Sequence, residues 1–295
     1  MNRRPDFFII GAPRCGTTAI YDFLRQHPEV YMPQRKEPVY FGADLTKRHP
    51  YLTEQRYLDL FRGAEGKKRV GEATVWYLYS ETAPGEIAAF ADDPRLVAMV
   101  RNPVDMMHSL HGLLRFTGNE DLPFEDALDA EPDRARGRRL PANTRRPEGL
   151  QYRRCARYAE HLRRWISVFG RERVHVIVFD DFRSDSLGTY QSLLEFLGVD
   201  QSFVPRMGVV NANKAPRSLR VQRAVNTEAF QRALWSLPGG AAHAVWRGIM
   251  RMNSRVVTRP TLEPALRRRL NEEMAESVID LGALLQRDLA HWSRA

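Results

Sequence analysis

The first part of the chain alternates short apolar runs with segments whose apolar residues recur at helical spacing. The apolar runs predict β-strands at residues 7–10, 69–72, 96–100 and 174–179. The spaced segments predict helices at residues 19–24, 84–91, 104–114, 152–169 and 186–197. Strands that alternate with helices favour a parallel sheet covered by helices on both faces, so the sequence predicts an α/β fold.

Two later stretches depart from this alternation. Residues 117–150 are acidic at first and then carry arginines interleaved with prolines, and residues 134–154 hold eight arginines. We expect a long loop or insertion there, which is either a solvated mobile segment or a surface that gathers an anionic ligand. Residues 219–295 have a mostly helical pattern and finish in a long helical segment at 264–292. The C-terminal part is therefore predicted to be mostly helical.

The charge of the chain indicates which ligands suit it. The 295 residues include 45 Lys and Arg against 36 Asp and Glu, a formal charge of +9, which suits phosphate, sulfate or carboxylate groups. The basic residues are spread along the whole chain, and the sequence contains no helix-turn-helix, zinc-finger or aromatic ribonucleoprotein pattern. We therefore predict no nucleic-acid partner.

Cysteine and histidine usage argues against metal sites. The two cysteines, Cys15 and Cys155, are too few for a disulfide framework or a cysteine metal site, and they favour a reducing cytoplasm. His108 and His111 are three residues apart but lack a third ligand, so no metal site is predicted. With no apolar run of about 18 residues, and no room for a signal peptide before the first strand, we expect neither a membrane span nor secretion.

A glycine-containing loop, GAPRCGTT, joins the first predicted strand to the first predicted helix. Small residues at such a place let consecutive backbone N–H groups converge on a phosphate at the N-terminus of a helix. A nucleoside-triphosphate loop would carry lysine where Thr17 stands, whereas Thr18 keeps the hydroxyl of such loops. Arg14 is the nearest cation in the loop and suits a phosphate that becomes a leaving group. The loop is either a simple glycine turn or a phosphate site that lacks the kinase lysine.

This loop resembles the 5′-phosphosulfate loop of the sulfotransferases that use 3′-phosphoadenosine-5′-phosphosulfate (PAPS). The likeness is to the branch that contains heparan-sulfate sulfotransferases and their bacterial relatives, in which the position of Arg14 is commonly lysine. The resemblance implies one sulfotransferase domain over residues 1–295, a P-loop-type central parallel sheet, and PAPS as a donor that needs no metal. It also implies donor contacts from Arg14, Cys15, Gly16, Thr17 and Thr18.

Two further blocks resemble the parts of these enzymes that bind the 3′-phosphate of the donor. In VRNPVDMMHS, Arg101 and Ser109 stand at the family's two contact positions, eight residues apart. Such a pair offers one charge and one hydroxyl to a phosphate. NKAPRS resembles a late loop that closes over the same side of the nucleotide, which implies contacts from Arg217 and Lys214.

A fourth block, KEPVYF, resembles the family block whose glutamate takes the proton of the acceptor. It implies that Glu37 is the catalytic base and that Lys36 lies near the phosphosulfate or the acceptor, although by itself the pair would be an exposed charged turn. The cytosolic branch uses a histidine instead, and residues 69–78, the corresponding stretch, contain none. Glu72, in the block GEAT, is the alternative carboxylate.

Together these blocks imply in-line transfer of a sulfuryl group from PAPS to a hydroxyl or amine. The implied acceptor is a carbohydrate or a glycosylated natural product, in which an anionic glycan would suit the arginine-rich segment. Two other functions remain open on the sequence. One is a P-loop nucleotide kinase with an unusual loop, and the other is a non-catalytic polyanion-binding protein on the same fold.

Overall fold

The computed structural model describes residues 3–46, 53–142, 144, 146–207, 214–218, 221, 224–225, 227–236, 241–256 and 261–294. The chain divides into two compact units. The first comprises Met1–Met107, Arg153–Val210 and Arg268–Ala295, and the second comprises His108–Tyr152 and Asn211–Arg267.

A five-stranded parallel sheet forms the centre of the first unit. Its strands are β1 Phe7–Gly11, β2 Val30–Tyr31, β3 Arg69–Ala73, β4 Arg95–Val100 and β5 Val174–Val178. They lie in the order β2-β3-β1-β4-β5, and all neighbouring pairs are parallel. The central strand β1 is buried along its whole length, as the continuous apolar run predicts. The predicted α/β fold with a P-loop-type central sheet is confirmed.

Helices connect the strands, because a parallel pair requires a crossover connection. In chain order they are α1 Thr17–Leu24, α2 Glu54–Leu58, α3 Ala83–Phe90, α4 Pro103–Phe116, α5 Phe124–Asp129, α6 Glu131–Ala135, α7 Tyr152–Cys155, α8 Tyr158–Phe169, α9 Phe179–Ser184, α10 Ser186–Leu197, α11 Glu228–Trp235, α12 Ala241–Met252, α13 Pro264–Leu285 and α14 His291–Arg294. Single 3₁₀ turns occur at Asp59–Phe61, Tyr77–Tyr79, Pro147–Leu150 and Arg171–Arg173. Helix α8 is amphipathic, since it buries Tyr158, Leu162 and Trp165 at helical spacing.

The second unit contains a small antiparallel sheet and helices. Strand β6, Lys214–Pro216, pairs with β7, Ser254–Val256. The described residues of the C-terminal part are otherwise mostly helical, which confirms that prediction. Among the described residues, no helix combines the length and the apolar character that crossing a bilayer requires.

The prediction of a long loop at residues 117–150 was wrong for much of that stretch, because α5 and α6 lie within it. Arg134 is fully buried, and both ends of its guanidinium donate to the Glu120 carboxylate at 2.7 and 2.8 Å. Tyr152 donates its hydroxyl to the same carboxylate at 2.7 Å. A buried two-pronged ion pair fixes this segment, so one of its arginines serves the fold. The role of the segment as an insertion or substrate loop stays a prediction.

The parallel strands β1, β3 and β4 end at one edge of the sheet. Ligands of open α/β sheets bind outside the carboxyl ends of the strands. The segments that follow β1 and β4, together with the turn that packs beside the end of β3, carry several of the residues predicted to bind the donor or to catalyse the reaction.

Candidate functional site

The loop between β1 and α1 has the backbone of an anion-binding turn. Gly16 is the N-cap residue of α1 at φ 97°, a left-handed conformation that glycine adopts without a steric penalty. A Cβ at Gly16 would lie 3.2 Å from the ring of Phe179, and one at Gly11 would lie 2.6 Å from Cβ of Leu78. The first turn of α1 contains no acidic residue. This helix N-terminus therefore carries uncapped positive dipole charge at the edge of the sheet.

Lys36 supplies the ammonium that the loop itself lacks. Its Nζ donates to Oγ1 of Thr18 at 3.0 Å and to Oγ1 of Thr17 at 3.3 Å, and its side chain is 20% exposed. Burial lowers the pKa of Lys36, while the neighbouring Glu37 carboxylate opposes that change. The predicted position of Lys36 beside the phosphosulfate loop is consistent with this contact, which a chain separation of 19 residues hides in the sequence.

Arg14 and Arg101 bring two more positive charges to the same loop. Arg14 is half-buried within the loop, at φ 64°. Burial raises the pKa of the Cys15 thiol to about 12, and the charges of Arg101 and Arg14 act in the opposite direction. Cys15 is therefore a neutral thiol packed under the loop and not a nucleophile.

Arg101 follows β4 and lies at the start of α4. Its guanidinium contacts Asp105 at 3.3 Å and lies over the Phe179 ring, 4.8 Å from the centroid. Asn102 caps α4, because its side-chain oxygen accepts from the backbone N–H groups of Val104 and Asp105. Arg101 thus follows the strand, Asn102 is the N-cap and Pro103 is the first helical residue. This cap fixes the backbone next to Arg101.

The C-terminus of the chain supports this turn. The side-chain amide of Asn102 donates to the backbone carbonyl of Trp292 at 2.9 Å, and the indole N–H of Trp292 donates to Asp180. Sequence reasoning did not find these contacts or the ring of Phe179, which touches both Arg101 and the Gly16 position. An aromatic residue at the end of an apolar run gives no signal that separates it from the core.

The two carboxylates predicted as alternative bases have different surroundings. Glu37 has a side chain that is 36% exposed and lies 3.8 Å from the Lys36 ammonium. Glu72, in β3, is 0% exposed. It accepts hydroxyl donors from Thr74 at 2.6 Å, Tyr57 at 2.7 Å and Tyr77 at 3.2 Å. Burial raises the pKa of Glu72 to about 7, against the lowering effect of these three hydroxyls. Glu37 is partly exposed to solvent, whereas hydroxyl groups enclose Glu72.

The other predicted contacts lie in the second unit. Ser109 is buried in α4. Arg217 is exposed, and its backbone N–H donates to the carbonyl of Asn253 at 2.7 Å. Lys214 begins β6, and Asn213 of the same block lies outside the described residues. The donor contacts of Ser109, Lys214 and Arg217 stay predictions.

The described part of the chain contains no group of three or more His, Cys, Asp or Glu residues able to hold a metal ion. His111 is one of the two histidines that lie three residues apart in α4. It is buried, and its Nε2 lies 3.0 Å from the carbonyl of Leu122. Independence from metal stays a prediction.

Known proteins are similar to this chain in sequence and in fold. Residues 4–213 match the family model described as Sulfotransferase domain. The chain is 29% identical to carbohydrate sulfotransferase 15 of Homo sapiens, over 66% of this chain and 44% of that protein. It is 28% identical to heparan sulfate glucosamine 3-O-sulfotransferase 3A1 of Mus musculus, over 71% of this chain and 50% of that protein. The chain thus spans half or less of these curated relatives.

A solved structure agrees over nearly the whole chain. The crystal structure of a sulfotransferase from Alicyclobacillus acidocaldarius superimposes with a TM-score of 0.72 at 29% identity, covering 98% of this chain and 99% of that one. The matched family region includes the phosphate loop, the Lys36–Glu37 pair and Arg101. The chain therefore belongs to the sulfotransferase domain family.

Proposed function

We propose that the protein transfers a sulfuryl group from PAPS to a hydroxyl or amine of a carbohydrate or glycosylated acceptor, with Glu37 as the general base. One observation carries this proposal. The Lys36 ammonium binds both threonines at the N-terminus of α1, and the accessible Glu37 carboxylate lies 3.8 Å from it. A positively charged site for an anion and a candidate base are therefore adjacent, as transfer between a bound donor and an acceptor requires.

Each group at or near the loop has its own part in the proposed binding and transfer. PAPS supplies an activated sulfuryl group whose bond to the 5′-phosphate oxygen breaks as the bond to the acceptor forms. Backbone N–H groups at the start of α1, with Thr17 and Thr18, would hold the 5′-phosphate. Arg14 and Lys36 would neutralise the negative charge that this phosphate gains on leaving. Glu37 would take the proton of the acceptor.

Arg101 is proposed to hold the 3′-phosphate, which ATP lacks. Its side chain is 19% exposed, and Asp105 and the Phe179 ring fix its guanidinium near the loop. An arginine restrained in this way loses little conformational freedom when it binds a phosphate. Donor contacts from Ser109, Lys214 and Arg217 stay predictions from the sequence.

Glu37 is preferred over Glu72 as the base because of access. A general base must come within hydrogen-bond reach of the proton that it removes. Both oxygens of Glu72 are occupied by hydroxyl donors and the side chain has no exposed surface. The names of the relatives, carbohydrate and heparan sulfate sulfotransferases, support a glycan acceptor.

A ligand comparison tests the donor. Adenosine 3′,5′-bisphosphate in the presence of EDTA should raise the melting temperature by a few degrees, since a ligand at about 100 times its Kd stabilises by about 2.7 kcal/mol. ATP with Mg²⁺ should have a smaller effect. A reversed order would favour a kinase, and no effect of either nucleotide would favour a non-catalytic polyanion-binding protein. Labelled PAPS offered with glycans, glycopeptides, phenols and lipids would then identify the acceptor.

Replacement of Arg101 by alanine tests the 3′-phosphate assignment. Loss of one charge-assisted contact should weaken bisphosphate binding by about 1.5–3 kcal/mol in a calorimetric titration. Binding of adenosine 5′-phosphosulfate, which has no 3′-phosphate, should change much less. Arg62→Ala is the matched control, because Arg62 is 69% exposed and forms a surface ion pair with Asp59 at 2.8 Å. Equal losses for both nucleotides would contradict the assignment.

A further inference from the structure

The segment that carries Lys36 and Glu37 has an unusual backbone. Glu37 and Val39 both lie in the left-handed region, at φ 59° and 52°. A β-branched residue such as Val39 rarely adopts this conformation, which persists only where the surrounding structure fixes it. The turn that presents the proposed base therefore needs an external support.

Backbone N–H groups of this segment are bound from β3 and the turn after it. The N–H of Glu37 donates to the carbonyl of Ala73 at 2.8 Å. The N–H groups of Tyr40 and Phe41 donate to the Tyr77 hydroxyl at 3.0 and 3.2 Å. The N–H of Val39 donates to the Thr74 hydroxyl at 3.4 Å. Two hydroxyl oxygens thus serve three backbone donors of residues 39–41.

These hydroxyls accept from the segment because each gives its own proton elsewhere. Both the Thr74 and the Tyr77 hydroxyl donate to the Glu72 carboxylate. Burial and the charge of Glu72 raise the pKa of Tyr77 well above its ordinary value, so Tyr77 keeps the proton that it donates. A carboxylate only accepts hydrogen bonds, so it turns both hydroxyl protons toward itself and leaves the oxygen lone pairs for the backbone N–H groups.

Tyr57 makes a third connection between Glu72 and the segment. Its hydroxyl donates to Glu72 at 2.7 Å. Its ring stacks on that of Tyr40, with the centroids 4.1 Å apart and the planes 8° from parallel. The carboxylate therefore fixes the segment through its backbone and through one of its side chains.

We propose that Glu72 is a positioning residue, which acts through the hydroxyls of Thr74 and Tyr77 to hold residues 37–41 so that Glu37 faces the acceptor. The inference rests on the proposed function, because Glu37 must be the base for its position to matter. Glu72 itself has no exposed surface, and its oxygens accept from three hydroxyl groups. Glutamine at this position would present N–H₂ to one of the hydroxyls, which would turn a hydroxyl proton toward a backbone N–H and break the support.

The test uses Glu72→Gln and Tyr77→Phe at pH 8, above the pKa of Glu72. Hydrogen–deuterium exchange of a peptide covering residues 38–42 should become about tenfold faster or more in both variants, since buried N–H groups lose their acceptors. A peptide from β1 should be unchanged. Tyr190→Phe is the matched control, because this buried hydroxyl donates to the Phe23 carbonyl at 3.3 Å instead.

Kinetics with the acceptor found by labelled PAPS provide the second measurement. We expect kcat to fall about 10- to 100-fold in both variants, with KM for PAPS within about threefold of the parent, because a misplaced base slows the chemical step without removing donor contacts. If Glu72→Gln fails to fold, Tyr77→Phe carries the test, since it removes one oxygen and leaves Glu72 two donors.

The outcomes separate this inference from the proposed function. Unchanged exchange at residues 38–42, or faster exchange with full kcat, would overturn the positioning role. Faster exchange with reduced kcat supports it. If Glu37→Gln is fully active while kcat falls in Tyr77→Phe, the assignment of the base fails, and so does the positioning of Glu37. The exchange result then shows only that Glu72 supports the fold of the segment.

Discussion

Replacement of Glu37 by glutamine is expected to lower kcat by about 10²- to 10⁴-fold, the usual contribution of a general base. Glutamine keeps the size and the hydrogen-bonding reach of the side chain but has no carboxylate to take a proton. Because Glu37 is on the accessible side of the loop and contacts Lys36 only at 3.8 Å, the fold and the donor site should survive the change. Adenosine 3′,5′-bisphosphate should therefore bind with nearly its original affinity.

Single-turnover transfer from labelled PAPS, followed beside a calorimetric titration with the bisphosphate, measures both quantities. Glu65→Gln is the matched control, since Glu65 is exposed on the surface of the first unit. Full activity of Glu37→Gln would remove Glu37 from the base role. A large loss of bisphosphate affinity would indicate instead that Glu37 orders the donor site.

Local sequence patterns predicted the strand, loop and helix of the proposed donor site because these parts are short and continuous. The strand, the glycine loop and the start of α1 lie within one stretch, so apolar runs and glycine spacing were sufficient to predict them. The place of Arg101 between a strand and a helix that begins with proline could also be predicted locally, whereas its contact with the 3′-phosphate was implied by the family resemblance. The strand order could not be read in this way, since it depends on contacts between distant residues.

Contacts that support the site could not be predicted, because the partners are remote in sequence. Lys36 meets Thr17 and Thr18 only when the chain returns beside the loop. Glu72 resembled a candidate base, and only its three hydroxyl donors show that it is enclosed. For Arg134 the prediction erred toward exposure. Its arginine-rich neighbourhood favoured a solvated loop, but its side chain is buried in an ion pair with Glu120, 14 residues earlier. Composition describes a segment, whereas one ion pair decides where a particular side chain lies.

The position of Lys36 also bears on the absent kinase lysine. A Walker-type loop carries its ammonium within the loop, at the place of Thr17 here. In this protein the ammonium comes from the next segment and binds that threonine from outside. A positive charge thus lies beside the helix N-terminus, and it is held next to Glu37, the proposed base. This arrangement favours catalysis of transfer over simple nucleotide binding.

Replacement of Lys36 by methionine is therefore expected to lower kcat by about 10²- to 10³-fold, as the loss of one pre-organised donor to developing charge commonly does. Methionine fills a similar space but cannot neutralise the phosphate that leaves. Binding of the bisphosphate should weaken too, because its 5′-phosphate meets the same ammonium, so both kcat and product affinity should fall. Glu37→Gln, in contrast, should lower kcat alone, and this difference separates a cation from a base.

Presteady-state transfer and bisphosphate titration of Lys36→Met, with Lys68→Met as the control, would test this expectation. Lys68 is 56% exposed and contacts Glu29 at 3.8 Å, so its loss should change neither quantity. A leaving-group role also predicts that an acceptor of higher reactivity does not restore the rate of Lys36→Met. If the variant kept its kcat and lost only affinity, Lys36 would bind the donor equally in the ground state and the transition state, and Arg14 alone would have to neutralise the departing phosphate.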